Sequence, residues 1–168
     1  MTPNQLKARF PYMFEGEYME LAFPRGWFAI FVQLCEQIDL LLGADRRGFH
    51  WVQIKEKFGS ARYHYELEPA EGEDVYPRPP PSSPAAIERL RIRTEIRELI
   101  GRAHSASCSH CIVCGRPGQL HEFEWTLVLC DEHIAQRETG GLGNFYLEED
   151  DSDASSPGTG ASGHEEPS

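Results

Sequence analysis

Two pairs of metal-ligating residue types constrain this chain more than any other feature of its sequence. Cys111 and Cys114 are separated by two residues, and Cys130 and His133 follow with the same separation. Two cysteines at this spacing can bind one ion from a single tight turn, which Gly115 allows to fold back over the metal. Cys130 and His133 would share one face of the first turn of a helix. The pattern predicts a tetrahedral Zn²⁺ site with these four ligands.

The segment between the two pairs favours a structural site over a catalytic one. Residues 119–129 can form a short hairpin, and the order of turn, hairpin and helix is typical of a treble-clef zinc finger. Four protein ligands close the coordination sphere, whereas a catalytic zinc keeps one position for water. Four nearby residues stay open as replacements for one of the four ligands: His104, Cys108, His110 and His121.

Two enzymatic interpretations of the same residues are less favoured. A thioredoxin-like redox pair would begin a helix, but residues 115–118 (GRPG) favour a loop. A ββα-metal nuclease would combine a hairpin histidine, here His121, with metal ligands on the following helix. The helix positions that would hold a catalytic metal are occupied by Cys130 and His133. We therefore assign no catalytic residue, and we predict no organic cofactor site.

The cysteine count and the start of the chain predict a reducing compartment. Five cysteines are an odd number, and four of them cluster near histidines rather than spreading as a disulfide framework. The first residues lack the pattern of a secretion signal, and no run of about 18 apolar residues predicts a membrane span. We expect a cytoplasmic protein, with Cys35 packed in the core.

The acidic charge of the chain is concentrated at its end. The net charge is −11, and residues 148–168 carry seven acids and no lysine or arginine, which leaves −4 for residues 1–147. Such a segment cannot bury enough apolar surface to fold, so residues 147–168 are predicted to be a disordered acidic tail. The rest of the chain has no global basic field for nucleic acid.

The first part of the chain predicts a helix followed by a β-hairpin. Apolar residues recur at helical spacing over residues 26–42, and Gly43 is a natural stop. Over residues 49–67 two alternating segments flank Phe58 and Gly59, which is typical of a hairpin. Alternation places Trp51 and Ile54 on opposite faces. We define residues 1–68 as a helix-plus-hairpin unit whose charged face carries Lys55, Lys57 and Arg62.

A proline-rich linker and a second helix precede the cysteines. Residues 69–83 contain five prolines and few apolar residues, which is typical of an extended spacer. Ser83 and Pro84 then form a helix start, with serine as N-cap and proline in the first turn. The helix carries arginines interspersed with glutamates, which favours a solvated surface. We define residues 84–146 as a unit of helix and zinc finger.

Three segments resemble a group of uncharacterised bacterial and phage proteins. They are residues 52–65 (VQIKEKFGSARYHY), 111–118 (CIVCGRPG) and 126–133 (TLVLCDEH). The group is similar in having a KEKFG-x-LR-x-Y hairpin, a helix and a CxxCGxPG…TLC segment, over roughly residues 24–135. This chain departs from it at Ala61, where a larger apolar residue is usual, and in its longer linker. The resemblance implies a shared architecture and an origin in phage or mobile elements, without a mechanism.

These features together predict an α+β protein with a structural zinc site. We expect a non-enzymatic, zinc-stabilised binding protein that acts on a protein partner. The alternative is a nucleic-acid-binding regulator with a zinc finger, whose binding would fall steeply with salt. A zinc-containing nuclease is the third interpretation.

Overall fold

The chain folds into helices and two small sheets. The structure, a computed structural model, describes residues 1–16, 21–44, 46, 48–68, 83–122 and 124–147. Within these residues the elements, in chain order, are α1 (Pro3–Arg9), β1 (Leu21–Ala22), α2 (Phe28–Leu42), β2 (His50–Lys57), β3 (Ser60–Glu66), α3 (Pro84–Ser107), β4 (Gln119–His121), β5 (Leu127–Leu129) and α4 (Asp131–Thr139). Short 3-10 helices cover Pro11–Phe14 and Arg25–Trp27. The predicted α+β class is confirmed.

Two of the predicted segments lie outside the described residues. The proline-rich linker is described only at Ser83, and the acidic tail only at Leu147. The extended linker and the disordered tail therefore stay predictions from composition.

Helix α2 supplies one side of the core. It covers Phe28–Leu42, close to the predicted residues 26–42, and it ends at Gly43, whose φ is +57°. Phe31 and Cys35 are fully buried on its inner face. The prediction that Cys35 packs in the core is confirmed, and burial raises the pKa of this thiol far above its usual value.

Strands β2 and β3 form the predicted hairpin around a two-residue turn. Lys57 pairs with Ser60, so that Phe58 and Gly59 form the turn, with φ values of +53° and +73°. This backbone conformation matches the right-handed twist of the strands, and it explains the need for glycine at position 59. Behind the turn, the Tyr63 ring stacks on Phe31 at 6.0 Å between centroids.

The strict alternation predicted for β2 is wrong at one point. The register shifts between Trp51 and Gln53, and this β-bulge at Val52 places Trp51 and Ile54 in the same core, 1% and 0% exposed. A bulge adds one residue to one strand, which reverses the side-chain parity beyond it. Strand β1, which was not predicted, pairs parallel to β2 with Leu21 opposite Ile54.

Helix α3 starts where the sequence predicts it. The Ser83 hydroxyl accepts a hydrogen bond from the Ala86 amide at 3.1 Å, and Pro84 occupies the first turn. The helix packs against α2 and β3 through an apolar stripe: Ile92, Ile96, Leu99 and Ala103. On its outer side, Arg91 forms ion pairs with Glu88 and Glu95. This pairing agrees with a solvated surface of mixed charge.

The end of α3 lies along the outer edge of the three-stranded sheet. The strand order is β1-β2-β3, so one edge of β3 has no strand beside it among the described residues. There the Ala61 amide donates to Ser107 Oγ at 2.9 Å, and the Ala61 carbonyl lies 3.0 Å from His104 Nδ1. Because a carbonyl only accepts, His104 must carry its proton on Nδ1.

One apolar core includes residues from both predicted units. It extends from Leu6 through the aromatic residues of the hairpin to Ile112 and Leu129. Backbone contacts follow the same path, since the Gly26 amide donates to the Ile112 carbonyl at 3.0 Å. The boundary between units 1–68 and 84–146 stays a prediction, but residues of both segments belong to the same apolar core.

Across the described ranges, none of the helices combines the length and the apolar character that crossing a membrane requires.

Candidate metal centre

The four predicted ligands lie together at the C-terminal side of the core. The ligand atoms of Cys111, Cys114, Cys130 and His133 all lie within 4.8 Å of one another. In the part of the chain that the structure describes, no other group of three or more such residues converges in this way. Three sulfur atoms and one imidazole nitrogen form a donor set that suits Zn²⁺.

The distances between ligand atoms identify which atoms face the centre. Cys114 Sγ lies 3.8 Å from Cys130 Sγ, and His133 Nδ1 lies 3.5 Å from Cys111 Sγ and 3.1 Å from Cys130 Sγ. The histidine therefore presents Nδ1 to the cysteines. Cys111, Cys130 and His133 are buried, whereas Cys114 is exposed.

A tight turn over residues 111–116, which we call the metal-binding turn, positions the first pair. The Gly115 amide donates to the Cys111 carbonyl at 2.8 Å, and the Cys111 amide donates to the Arg116 carbonyl at 2.7 Å. Gly115 has a φ of +74°, which confirms the sequence argument for glycine there. The Ile112 amide donates to the Val128 carbonyl at 2.9 Å, which joins the turn to β5.

The short β4–β5 hairpin and helix α4 position the second pair. The strands cover only Gln119–His121 and Leu127–Leu129 of the predicted residues 119–129. Cys130 follows β5 directly as the N-cap residue of α4, and His133 lies in the first turn of that helix. The predicted placement of this pair at a helix start is confirmed. A helix N-terminus favours a thiolate, because the helix dipole and free amides stabilise negative charge.

The guanidinium of Arg116 contacts two of the ligand cysteines. Its Nε lies 3.4 Å from Cys114 Sγ, one of its terminal nitrogens lies 3.7 Å from Cys130 Sγ, and the same nitrogen bonds Glu132. Burial raises the pKa of Cys111, and it also acts to raise that of Cys114. At Cys114 burial is the largest single influence, but the hydrogen bonds from Arg116, Cys111 and Cys130 together outweigh it, so that the pKa is lowered. Sequence reasoning missed this role of Arg116.

The four residues left open as replacement ligands, His104 among them, lie outside the cluster. Cys108 is exposed at the end of α3, with Sγ 3.9 Å from His104 Nε2. His110 lies beside the metal-binding turn, but its Nδ1 contacts the Ala106 carbonyl at 2.7 Å. His121 belongs to β4 and pairs with Leu127.

Comparison of this chain with protein-family models, with curated proteins and with solved structures found no match.

Proposed function

We propose that the chain is a zinc-stabilised binding protein without enzymatic activity. Its centre would be one structural Zn²⁺ held by Cys111, Cys114, Cys130 and His133. The metal-binding turn, the β4–β5 hairpin and α4 would together form a treble-clef-like zinc finger. Cys108 and the remaining histidines take no part in this centre.

The observation that carries the proposal is the spacing of the ligand atoms. With Zn–S bonds of about 2.3 Å, a regular tetrahedron has S–S edges of about 3.8 Å. The Cys114–Cys130 distance of 3.8 Å equals such an edge. An edge between sulfur and nitrogen is slightly shorter, at about 3.6 Å, because Zn–N bonds are about 2.0–2.1 Å. The Cys111–His133 distance of 3.5 Å is close to this value, and the Cys130–His133 distance of 3.1 Å is shorter than it.

The composition of the ligand set supports a structural role. Four protein ligands fill a tetrahedral sphere and leave no position for a reacting water. Three thiolates and a neutral imidazole around Zn²⁺ have a net charge of about −1. Arg116 provides a positive charge beside two of the three sulfur atoms. Such an outer contact orients ligands and stabilises the charge of the complex.

The bound ion would directly stabilise the fold of the C-terminal part. Its two strands have three residues each, and α4 has nine. Elements this short bury little apolar surface of their own. Structural zinc contributes an apparent ~10–16 kcal/mol in small finger peptides, which is enough to fix such a segment.

A protein partner in a reducing compartment completes the proposal. Free thiols would there stay available to the metal. The surfaces proposed from sequence are the hairpin face, with Lys55, Lys57 and Arg62, and the arginine-bearing side of α3. On α3, Arg91 is engaged by two carboxylates, which reduces its value for binding phosphate. This pairing favours a protein over a nucleic acid.

Metal analysis of matched cysteine variants tests the proposal. The full chain, purified without added metal, should contain one zinc per molecule by elemental analysis. Cys114→Ser should lose the metal and the cooperative melting of the C-terminal part. Cys108→Ser is the matched control and should keep both. A folded, metal-free wild-type chain, or an equal loss of zinc in both variants, would contradict the proposal.

A further inference from the structure

The presence of phenylalanine at position 58 is not explained by packing within the fold. Phe58 lies in the β2–β3 turn with a φ of +53°, and it is the non-glycine residue with positive φ among the described residues. Asparagine, aspartate and glycine are preferred at this position, and a bulky side chain there is strained. The ring is 72% exposed, so core packing does not compensate for the strain. Strain of this kind concentrates at functional sites.

Trp125 is exposed in the same region of the molecule. It is 72% exposed between β4 and β5, whereas Trp27 and Trp51 are buried in the core. The turn of the first hairpin lies against the second hairpin, because a β-carbon on Gly59 would stand 2.6 Å from Leu120 Cδ1. The exposed rings of Phe58 and Trp125 therefore belong to two hairpins that pack together.

A cleft of about 380 Å³ lies between these two hairpins. Phe58 and Trp125 both line it, together with Glu56, Glu124 and Lys57. A second cavity, of about 560 Å³, shares Trp125 and Glu56 with the first. We call the first cavity the Phe58–Trp125 cleft. Exposed aromatic rings beside a concave surface are typical of binding sites.

The charges of the cleft select a cationic group. Two carboxylates, of Glu56 and Glu124, line it against one ammonium group, of Lys57, which lies over the Phe58 ring at 5.3 Å. Glu56 Oε1 also accepts a hydrogen bond from the Gly59 amide at 2.8 Å. Residues 1–147, without the acidic end of the chain, still have a net charge of −4. A negative lining repels phosphate groups and attracts Arg or Lys side chains. Tryptophan is also the best aromatic platform for a cation.

We propose that the Phe58–Trp125 cleft binds a basic segment of a partner protein. An Arg or Lys side chain of that segment would lie on the Trp125 ring, with the carboxylates of Glu124 and Glu56 as counter-charges. Apolar side chains next to it would contact Phe58. This inference rests on the proposed binding function, and it adds the surface and the chemical class of the partner.

Selection from a random peptide library tests the proposal. Twelve-residue peptides displayed on phage are selected against the zinc-loaded full chain, and the selected sequences are compared with the unselected library. The expected result is an enrichment of Arg and Lys. Binding of synthetic selected peptides should change the fluorescence of Trp125, since the other two tryptophans are buried. Selected peptides without enrichment of basic residues, or no selected peptides, would overturn the proposal.

Variants of the cleft show whether the selected peptides bind there. Trp125→Ala and Glu124→Gln should each weaken binding, by about tenfold for the loss of the ring. Trp125→Phe should recover part of the affinity. Leu40→Ala is the matched control, because Leu40 is 83% exposed on α2, away from the cleft. Equal affinity of Trp125→Ala and wild type would overturn the assignment of the cleft.

Two further results separate this inference from the proposed function. A 12-nucleotide single-stranded DNA that binds more tightly than the peptides, and loses binding in Trp125→Ala, would overturn the choice of a basic protein segment. Basic peptides that bind equally to wild type and to Trp125→Ala would leave the binding function intact but remove the cleft from it. Zinc content, measured on the same samples, tests the metal centre independently.

Discussion

The carbonyl oxygen of Gly26 lies only 2.5 Å from the place where a β-carbon on Gly115 would stand. In return, a β-carbon on Gly26 would lie 2.3 Å from the Cys111 carbonyl oxygen. Two glycines thus allow the 3-10 helix before α2 to contact the metal-binding turn backbone against backbone. The candidate metal centre is joined in this way to the part of the chain that contains the aromatic core.

A first prediction follows for Gly26→Ala. The added methyl group would overlap two backbone carbonyls, of Cys111 and Ile112, which cannot rotate away as a side chain can. We expect a loss of about 1–3 kcal/mol in the free energy of unfolding, as for other overpacked sites. Urea unfolding followed by circular dichroism measures this value.

Gly101→Ala is the matched control for that measurement. Gly101 lies within α3, and apart from the adjacent turns of that helix no atom of the described residues would stand within 4 Å of its β-carbon. Replacing a glycine inside a helix should therefore stabilise the chain by ~0.5–1 kcal/mol. Equal effects of the two variants would contradict the close contact between Gly26 and the metal-binding turn.

A second prediction concerns Gly59→Val in the hairpin turn. The φ of +73° is unfavourable for a branched residue, and we expect a loss of roughly 1–3 kcal/mol. The nearest atom, Leu120 Cδ1, is the end of a half-exposed side chain that can move, so the cost comes mainly from the backbone. Adding Leu120→Ala should therefore restore little stability. Zinc content is predicted to stay unchanged, and loss of zinc would show that the two predicted units unfold as one.

A third prediction concerns the reactivity of the five cysteines towards a thiol reagent. Cys108 is exposed and lies outside the metal cluster, so it should react at once in the zinc-loaded chain. A strong zinc chelator should release the three ligand cysteines. Cys35, which is fully buried, should react only on unfolding. Four fast-reacting thiols before chelation would show that the cluster does not hold a metal.

A fourth prediction concerns Arg116, which contacts two ligand sulfurs. Arg116→Ala should weaken zinc affinity about 10- to 100-fold, as for the loss of other outer contacts to a metal site. Competition with a chromogenic chelator measures this affinity. Arg97→Ala, at an exposed position of α3, should leave it unchanged. If Arg116→Ala matches wild type, the contact between Arg116 and the sulfur atoms has no role in holding the ion.

The Cys/His cluster was predictable because its geometry is local. Cys111 and Cys114 must share one turn, and Cys130 and His133 one helix start, so their spacing restricts the possible arrangements. The contact between Gly26 and Gly115 joins residues far apart in the chain, and no local pattern indicates it. The bulge at Val52 was missed for a related reason. Strict alternation assumes an unbroken strand register. Packing of the tertiary core instead buries both Trp51 and Ile54, which requires the bulge between them.

The hydrogen bonds between Ala61 and the end of α3 also affect whether another strand can pair with the edge of the sheet. An unpaired strand edge is a template on which the strand of another molecule can add, and such addition leads to aggregation. Here Ser107 and His104 occupy the amide and the carbonyl of Ala61, the groups that an incoming strand would need. At Ala61, two side chains of one helix thus block the groups through which the strand of another molecule would pair.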